Sequence, residues 1–233
     1  MKDFSEFLNS HCHGHLVGIG GVSMSPLAEV LVGCGLSISG SDITESERTS
    51  HLRGLGINIY IGHDGNNISE DTDFVVRTAA AHDDNPEIIR ARELGIPVYE
   101  RTQAWGAIMK GYENALCIAG THGKTTTTSM CTHILMAAEK DPTVMIGGTL
   151  PLLKASHRVG KGNTIIMESC EYYNSFLSFY PTVAVILNIE EDHLDFFKDL
   201  DDIKRSFRSF AMHVPENGYV VANYDDANTM DKL

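Results

Sequence analysis

The chain has 233 residues, a formal net charge of −13 and 42% apolar side chains. That length allows one large domain or two modest ones, and the apolar share supports real cores. The acidic balance argues against nucleic acid or an anionic membrane surface as the main partner, so any anionic ligand must be gripped by local donors. No stretch approaches the ~18–20 uninterrupted apolar residues of a spanning helix. The N-terminus, MKDFSEFLNSHCHGH, is polar and mixed in charge, unlike a secretory signal. The five cysteines are scattered without C-x-x-C spacing, which fits reduced thiols and a cytoplasmic setting.

Taken in order, the first half alternates strands with helices. His11, Cys12, His13 and His15 lack a second ligand cluster and read as a solvated lead-in, not a metal tract. His15–Ile19 reads as a strand. It runs into Gly18, Gly20 and Gly21, then a helix through Met24, Leu27, Leu31 and Val32. Leu36–Gly40 is a second strand, and Asp42 lies just past it, about twenty residues after the glycine turn. That is the order of a dinucleotide fingerprint, with Ser23 standing where the third glycine belongs. A purely structural βαβ turn is the competing reading. A helix over Ser46–Leu55, a strand over Ile57–Ile61 and a strand over Phe74–Val76 follow. Small residues after Val76 would let a ligand approach the sheet edge. Pro86 suits the first turn of a helix reaching Leu94, and Gly95–Tyr99 reads as another short strand. The alternation implies a parallel sheet covered on both faces. A helix over Thr102–Lys110 closes this part, placing a boundary between domains 1–110 and 111–233.

The second half opens on LCIAGTHGKTTTT: an apolar strand over Leu116–Ala119, a turn through Gly120, Thr121, His122 and Gly123, then Lys124, Thr125 and Thr126 starting a helix. This is the order a phosphate cradle needs. Glycines turn backbone N–H groups toward the anion, and the helix start adds unpaired donors. Lys124 would hold the β- and γ-phosphates of ATP, and the Thr125 hydroxyl would hold Mg²⁺. The loop is the shorter G-x-x-G-K-T form; an ordinary strand-to-helix turn with a surface lysine is the competing reading. Thr143–Gly148 reads as a strand, Leu150–Gly162 as loop, and Asn163–Ser169 and Thr182–Ile189 as strong strands. Glu168 and Glu171 close the first of these; Asn188, Asp192 and His193 follow the second. In a parallel sheet those ends share one rim with the phosphate turn, where carboxylates would supply the hard oxygens Mg²⁺ requires. A helix from Asp201 and a strand over Gly218–Tyr224 complete the chain.

In this order and spacing, G-T-H-G-K-T-T-T, E-S-C-E-Y and N-I-E-E-D-H-L-D resemble the Mur ligases of peptidoglycan synthesis, from the Gly18 turn onward. The resemblance implies a Rossmann-like, UDP-sugar-binding N-terminal domain followed by a P-loop α/β central domain. The central domain would be cut short here, and the stretch incomplete and inactive alone. It implies an enzyme, an ATP-dependent carboxylate–amine ligase. The lactyl carboxylate of UDP-N-acetylmuramate would take the γ-phosphate to form an acyl phosphate, which the amine of L-alanine attacks.

By motif, Gly120–Thr126 would bind ATP, Thr125 and Glu168 one Mg²⁺, and His193 a second metal. Asn188 and His122 would sit near the sugar-peptide acceptor, and Gly18, Gly20, Gly21, Ser23 and Asp42 would line the UDP site. Lys124, Glu168, His193 and Asn188 would be the catalytic set. A recycling ligase that attaches a tripeptide instead of alanine shares these motifs. Outside the family, a nicotinamide dehydrogenase module and a nucleotide-binding module without catalysis remain. A parallel sheet lacking its last strands would also leave an open edge that invites self-association.

Overall fold

The computed structural model describes residues 3–8 and 10–232, divided into two units, Met1–Ile108 and Met109–Leu233. Unit 1 runs β1 (His13–Val17), α1 (Met24–Gly33), β2 (Ser37–Asp42), α2 (Glu47–Gly54), β3 (Asn58–Ile61), β4 (Phe74–Arg77), α3 (Pro86–Glu93) and β5 (Val98–Glu100), then α4 (Arg101–Met109). Its five strands lie in the order β3-β2-β1-β4-β5, and every neighbouring pair is parallel. The strand order turns back between β1 and β4, and this is where open α/β sheets take ligands.

Local sequence explains the helix starts. Ser46 caps α2 in a reciprocal box with Thr49, and Asn85 caps α3 with Pro86 in its first turn. One face of the sheet buries Val17, Ile68, Val75, Ile88 and Ala91. The N-terminal stretch is less polar in the fold than its composition suggests. Phe4 and Phe7 are buried, each with its ring centroid 5.0 Å from that of Phe74. Gly14 is needed there, since a Cβ would lie 2.2 Å from Cζ of Phe74. The solvated lead-in expected over His11–His15 also needs correction. His13 and His15 belong to β1, and His15 is fully buried, because its ring finds buried polar partners described below.

Unit 2 runs β6 (Asn114–Ala119), α5 (Lys124–Ala137), β7 (Thr143–Leu150), β8 (Ala155–Arg158), β9 (Thr164–Glu168), β10 (Val183–Ile186), α6 (Leu200–Ala211), β11 (Tyr219–Ala222) and α7 (Ala227–Lys232). The strand order is β11-β10-β6-β9-β7-β8. β6 therefore sits between β10 and β9, parallel to both. Ile118, Val144, Ile146, Leu150 and Ile166 form one buried cluster of this unit, with Cys131 and Leu135 of α5 packed against them. The stretch expected to be loop over Leu150–Gly162 contains β8, which pairs antiparallel with β7, so this sheet is mixed. Four half-buried residues, Ala-Ser-His-Arg, carry no apolar run to announce a strand; the pairing partner makes it one. Beyond it, Gly162 passes so close to the chain that a Cβ would lie 2.0 Å from the Lys140 carbonyl oxygen. β11 forms one edge, with Tyr219, Val220 and Val221 exposed. Among the described residues no helix is long and apolar enough to cross a membrane, and all five cysteines are free thiols.

Candidate functional site

In unit 2 the chain leaves β6 at Ala119 and turns sharply. Gly120 has φ +138° and Gly123 φ +84°, values that favour glycine. A Cβ on Gly120 would lie 3.0 Å from Cβ of Leu187 and 3.2 Å from the Asn188 nitrogen. The turn is thus pressed against the segment leaving β10, and side chains stitch the two together. The His122 amide donates to Oδ1 of Asn188 at 2.8 Å, and Nδ2 of Asn188 donates to the His122 carbonyl at 3.1 Å. The Glu190 amide donates to the Thr121 hydroxyl at 2.9 Å. Through these bonds Asn188 braces the turn. The His122 and Thr126 side chains are exposed, and His122 Nε2 lies 3.7 Å from Glu190.

α5 then begins at Lys124 with Gly123 as its N-cap and no side-chain cap. The first turn of such a helix presents N–H groups and a positive dipole end to an anion. Lys124 Nζ donates to the carbonyls of Gly120 at 2.6 Å and Thr121 at 3.1 Å, and lies 3.0 Å from Oε2 of Glu171. The Thr125 hydroxyl donates to Oε1 of Glu168 at 2.9 Å, and the Gly147 amide donates to its Oε2 at 2.6 Å. A Cβ at Gly147 would lie 2.5 Å from that carboxylate, so a larger residue there would push the Glu168 side chain aside. Glu171, Asp192 and His193 each offer one ligand atom within 4.8 Å of the others. His193 sits at φ +53°, in the left-handed region, with the Tyr172 ring stacked on it at 4.2 Å. Carboxylates, a threonine hydroxyl and an imidazole are a donor set that suits Mg²⁺ or Mn²⁺.

In unit 1 the turn after β1 is built on β2. The Gly18 and Ile19 amides donate to the Ser41 carbonyl at 2.8 and 2.9 Å, and the Gly20 amide donates to Oδ2 of Asp42 at 2.8 Å. Gly18 has φ +79°, and a Cβ there would lie 2.6 Å from Cγ2 of Thr78. Gly21 returns a bond to the Gly18 carbonyl at 3.1 Å. Gly18, Gly20, Gly21 and Asp42 thus form one turn. Ser23, the residue in place of the third glycine, accepts a hydrogen bond from the Arg101 guanidinium, and its carbonyl accepts one from the Trp105 indole at 3.3 Å.

Arg101 is a residue that motif reading misses. The available signal is positional: it directly follows β5, whose carboxyl end shares the rim with the turn. A second cluster also escapes it. The carboxylate of Glu87, fully buried, accepts from the Ser41 hydroxyl at 2.6 Å, Asn67 at 2.7 Å and His63 Nδ1 at 2.8 Å, and lies 3.4 Å from His15 Nε2. Burial pushes its carboxyl up, and hydrogen bonds from His15, Ser41 and Asn67 more than reverse this, leaving it below the usual range.

Residues 13–113 match the family model for the Mur ligase family, catalytic domain, and residues 118–233 match the one for the Mur ligase middle domain. The UDP-N-acetylmuramate--L-alanine ligase of Clostridium novyi is 49% identical over 217 residues, covering 93% of this chain and 47% of that protein. The solved UDP-N-acetylmuramate-alanine ligase of Thermotoga maritima superposes with a TM-score of 0.82 at 35% identity, covering 95% of this chain and 51% of that one. The UDP-N-acetylmuramate:L-alanyl-gamma-D-glutamyl-meso-diaminopimelate ligase of Neisseria meningitides gives 0.85 at 29% identity, covering 96% of this chain and 75% of that one. The chain spans about half the length of the curated relatives it matches.

Proposed function

The chain belongs to the Mur ligase family, and from that premise we propose that it forms the nucleotide-sugar and ATP-binding parts of a cytoplasmic ligase joining L-alanine to UDP-N-acetylmuramate. One observation carries the reading. Lys124 and Thr125 open α5 directly behind a glycine turn, with Glu168 on the Thr125 hydroxyl and Glu171, Asp192 and His193 grouped nearby. The residues fit both expected ligands. The turn and helix start suit the phosphates of ATP, and Thr125, Glu168 and His193 suit divalent cations. Bound there, the metal would neutralise charge on the transferring phosphoryl group.

The chain's own residues do the rest. Lys124, at the start of α5, would turn its ammonium to the phosphates. Asn188 and Thr121 hold the turn rigid, so that donors stay aimed where negative charge develops. In unit 1 the turn over Gly18, Gly20 and Gly21 and the nearby Ser23 and Asp42 would receive the UDP moiety, with Arg101 beside Ser23 as a cation for its diphosphate. A carboxylate oxygen held against the γ-phosphorus would take the phosphoryl group as ADP leaves, and the amine would then attack the acyl carbon, losing a proton and expelling inorganic phosphate. The likeness to the Neisseria meningitides structure keeps a tripeptide amine as the second reading, while the identity to the alanine-adding relative favours L-alanine.

Calorimetry with ATP–Mg²⁺ and with UDP-N-acetylmuramate, followed by a phosphate-release assay, tests the reading. Both ligands should bind, and Lys124→Ala should abolish ATP binding while leaving the UDP-sugar untouched. Unchanged ATP affinity in that variant would reject the assignment.

A further inference from the structure

Lys124 is the residue on which the phosphate reading leans, yet its ammonium already has three partners inside the protein. Two are the carbonyls of Gly120 and Thr121; the third is the Glu171 carboxylate, at 3.0 and 3.3 Å through both oxygens. An ammonium has three protons, so a phosphate oxygen can reach it only by displacing one of these. The pair is also withdrawn from water: the side chains are 14% exposed for Lys124 and 2% for Glu171. Inside such a site a carboxylate left beside the ammonium cancels its charge and repels an incoming phosphate. A carboxylate left behind without a counter-charge is costly.

The backbone around Glu171 gives it little freedom to move away. The Ser169 amide donates to Ile118 of β6 at 2.9 Å, the Phe176 amide to Cys170 at 3.1 Å, and the Asn174 amide to Glu171 itself at 2.8 Å. Tyr173 and Asn174 both lie in the left-handed region, at φ +52° and +55°. What Glu171 does have is a second set of neighbours, Asp192 and His193, within reach of a shared ion.

We infer that Glu171 is a positioning residue with two alternate partners: it holds the Lys124 ammonium in the turn, and it passes to a divalent cation shared with Asp192 and His193 when that ammonium engages phosphate. The inference rests on the phosphate-binding reading of Lys124. Its consequence is a coupling between cation and nucleotide beyond the chelation of one by the other in solution, and the coupling is reciprocal.

The test compares ADP affinity in EDTA and in saturating Mg²⁺ for the wild type and Glu171→Gln. Solution chelation is the same for both proteins and cancels in the comparison. In EDTA, Glu171→Gln should bind ADP about tenfold tighter than the wild type, and its gain on adding Mg²⁺ should shrink by about the same factor. A variant that binds ADP in EDTA no better than the wild type overturns the inference.

A second measurement needs no nucleotide. Mn²⁺ affinity, read by electron paramagnetic resonance, should rise in Lys124→Met, and the rise should vanish when Glu171→Gln is added. No rise in Lys124→Met overturns the inference as well. A wild type that binds no ADP in either buffer, with the Mn²⁺ shift intact, would instead sink the phosphate reading of Lys124 and leave the partner exchange standing.

Discussion

Glu87 shows how a single side chain can organise a rim it never reaches. Its carboxylate ties α3 to Ser41 at the end of β2, to His63 and Asn67 in the loop after β3, and to His15 in β1. Ser41 is also the residue whose carbonyl receives the Gly18 and Ile19 amides, so the carboxylate lies one step behind the turn. Replacing Glu87 with Gln should cost unit 1 about 3 kcal/mol, at the low end for breaking a buried charged network, as urea unfolding would measure. The pH dependence follows from the direction of its shift. The folded carboxyl gives up its proton at lower pH than the unfolded one. Its contribution is therefore complete above the unfolded value, about 4.3, and lost as pH falls through the lower folded value. Unfolding free energies of the wild type should decline across that acid window, and those of Glu87→Gln should decline less steeply. Asp42→Ala makes a smaller, local change. It strips the acceptor from the Gly20 amide at a cost of about 1–3 kcal/mol, and UDP-N-acetylmuramate affinity should fall with it in a titration. Lys124, Thr125, Glu168 and Asp42 are legible in the sequence because each lies a fixed step past a readable strand. Glu87 and Arg101 are not, because their partners lie far along the chain, as with Ser41 for Glu87 and Ser23 for Arg101.

At the scale of elements, aromatic packing sets where the acidic rim stands. The 3-10 segment Tyr172–Ser178 follows Glu171, and its Phe176 stacks on Phe210 of α6 at 4.6 Å and meets Phe207 edge-on at 5.2 Å. α6 is aimed by Asp199, whose carboxylate caps it by accepting from the Asp202 amide at 2.9 Å. Phe210→Ala should destabilise unit 2 by about 3–5 kcal/mol. It should also speed amide exchange in the Cys170–Phe176 segment more than in β6, which hydrogen exchange with mass spectrometry can resolve. Equal loosening of β6 would show the stack to be general core, with no special hold on the rim. The helical spacing of Ile203, Phe207 and Phe210 makes α6 readable in advance, as do the apolar runs of β6, β9 and β10. β8 is different in kind. Its four residues have no pattern of their own, and it exists because β7 offers an unpaired edge and because Gly160 and Gly162 let the chain pass tightly by Asp141 and Pro142. The 3-10 segment is equally silent, since two left-handed non-glycine residues inside it are set by packing and not by propensity.

At the scale of the whole molecule, the two anionic ligands proposed would meet a net charge of −13, so each would have to find a short-range cradle. The two units offer one apiece, each after an interior strand of its own sheet: the turn after β1 and the turn after β6. A ligand stabilises only what binds it, by RT ln(1 + [L]/Kd), or about 2.7 kcal/mol at a hundred times its dissociation constant. Hydrogen exchange should therefore separate the two sites in the intact chain. ATP with Mg²⁺ should slow exchange over Gly120–Lys124, Glu168–Glu171 and Asn188–His193. UDP-N-acetylmuramate should instead slow it over Gly18–Gly21 and Ser41–Asp42. This pattern also decides between readings that share a fold. A nicotinamide module would protect the first turn with a dinucleotide and ignore the UDP-sugar. A bare nucleotide-binding module would respond to ATP at the second turn alone. Protection of the first turn by ATP would reverse the assignment of the two cradles, and with it the roles given to Lys124 and Asp42.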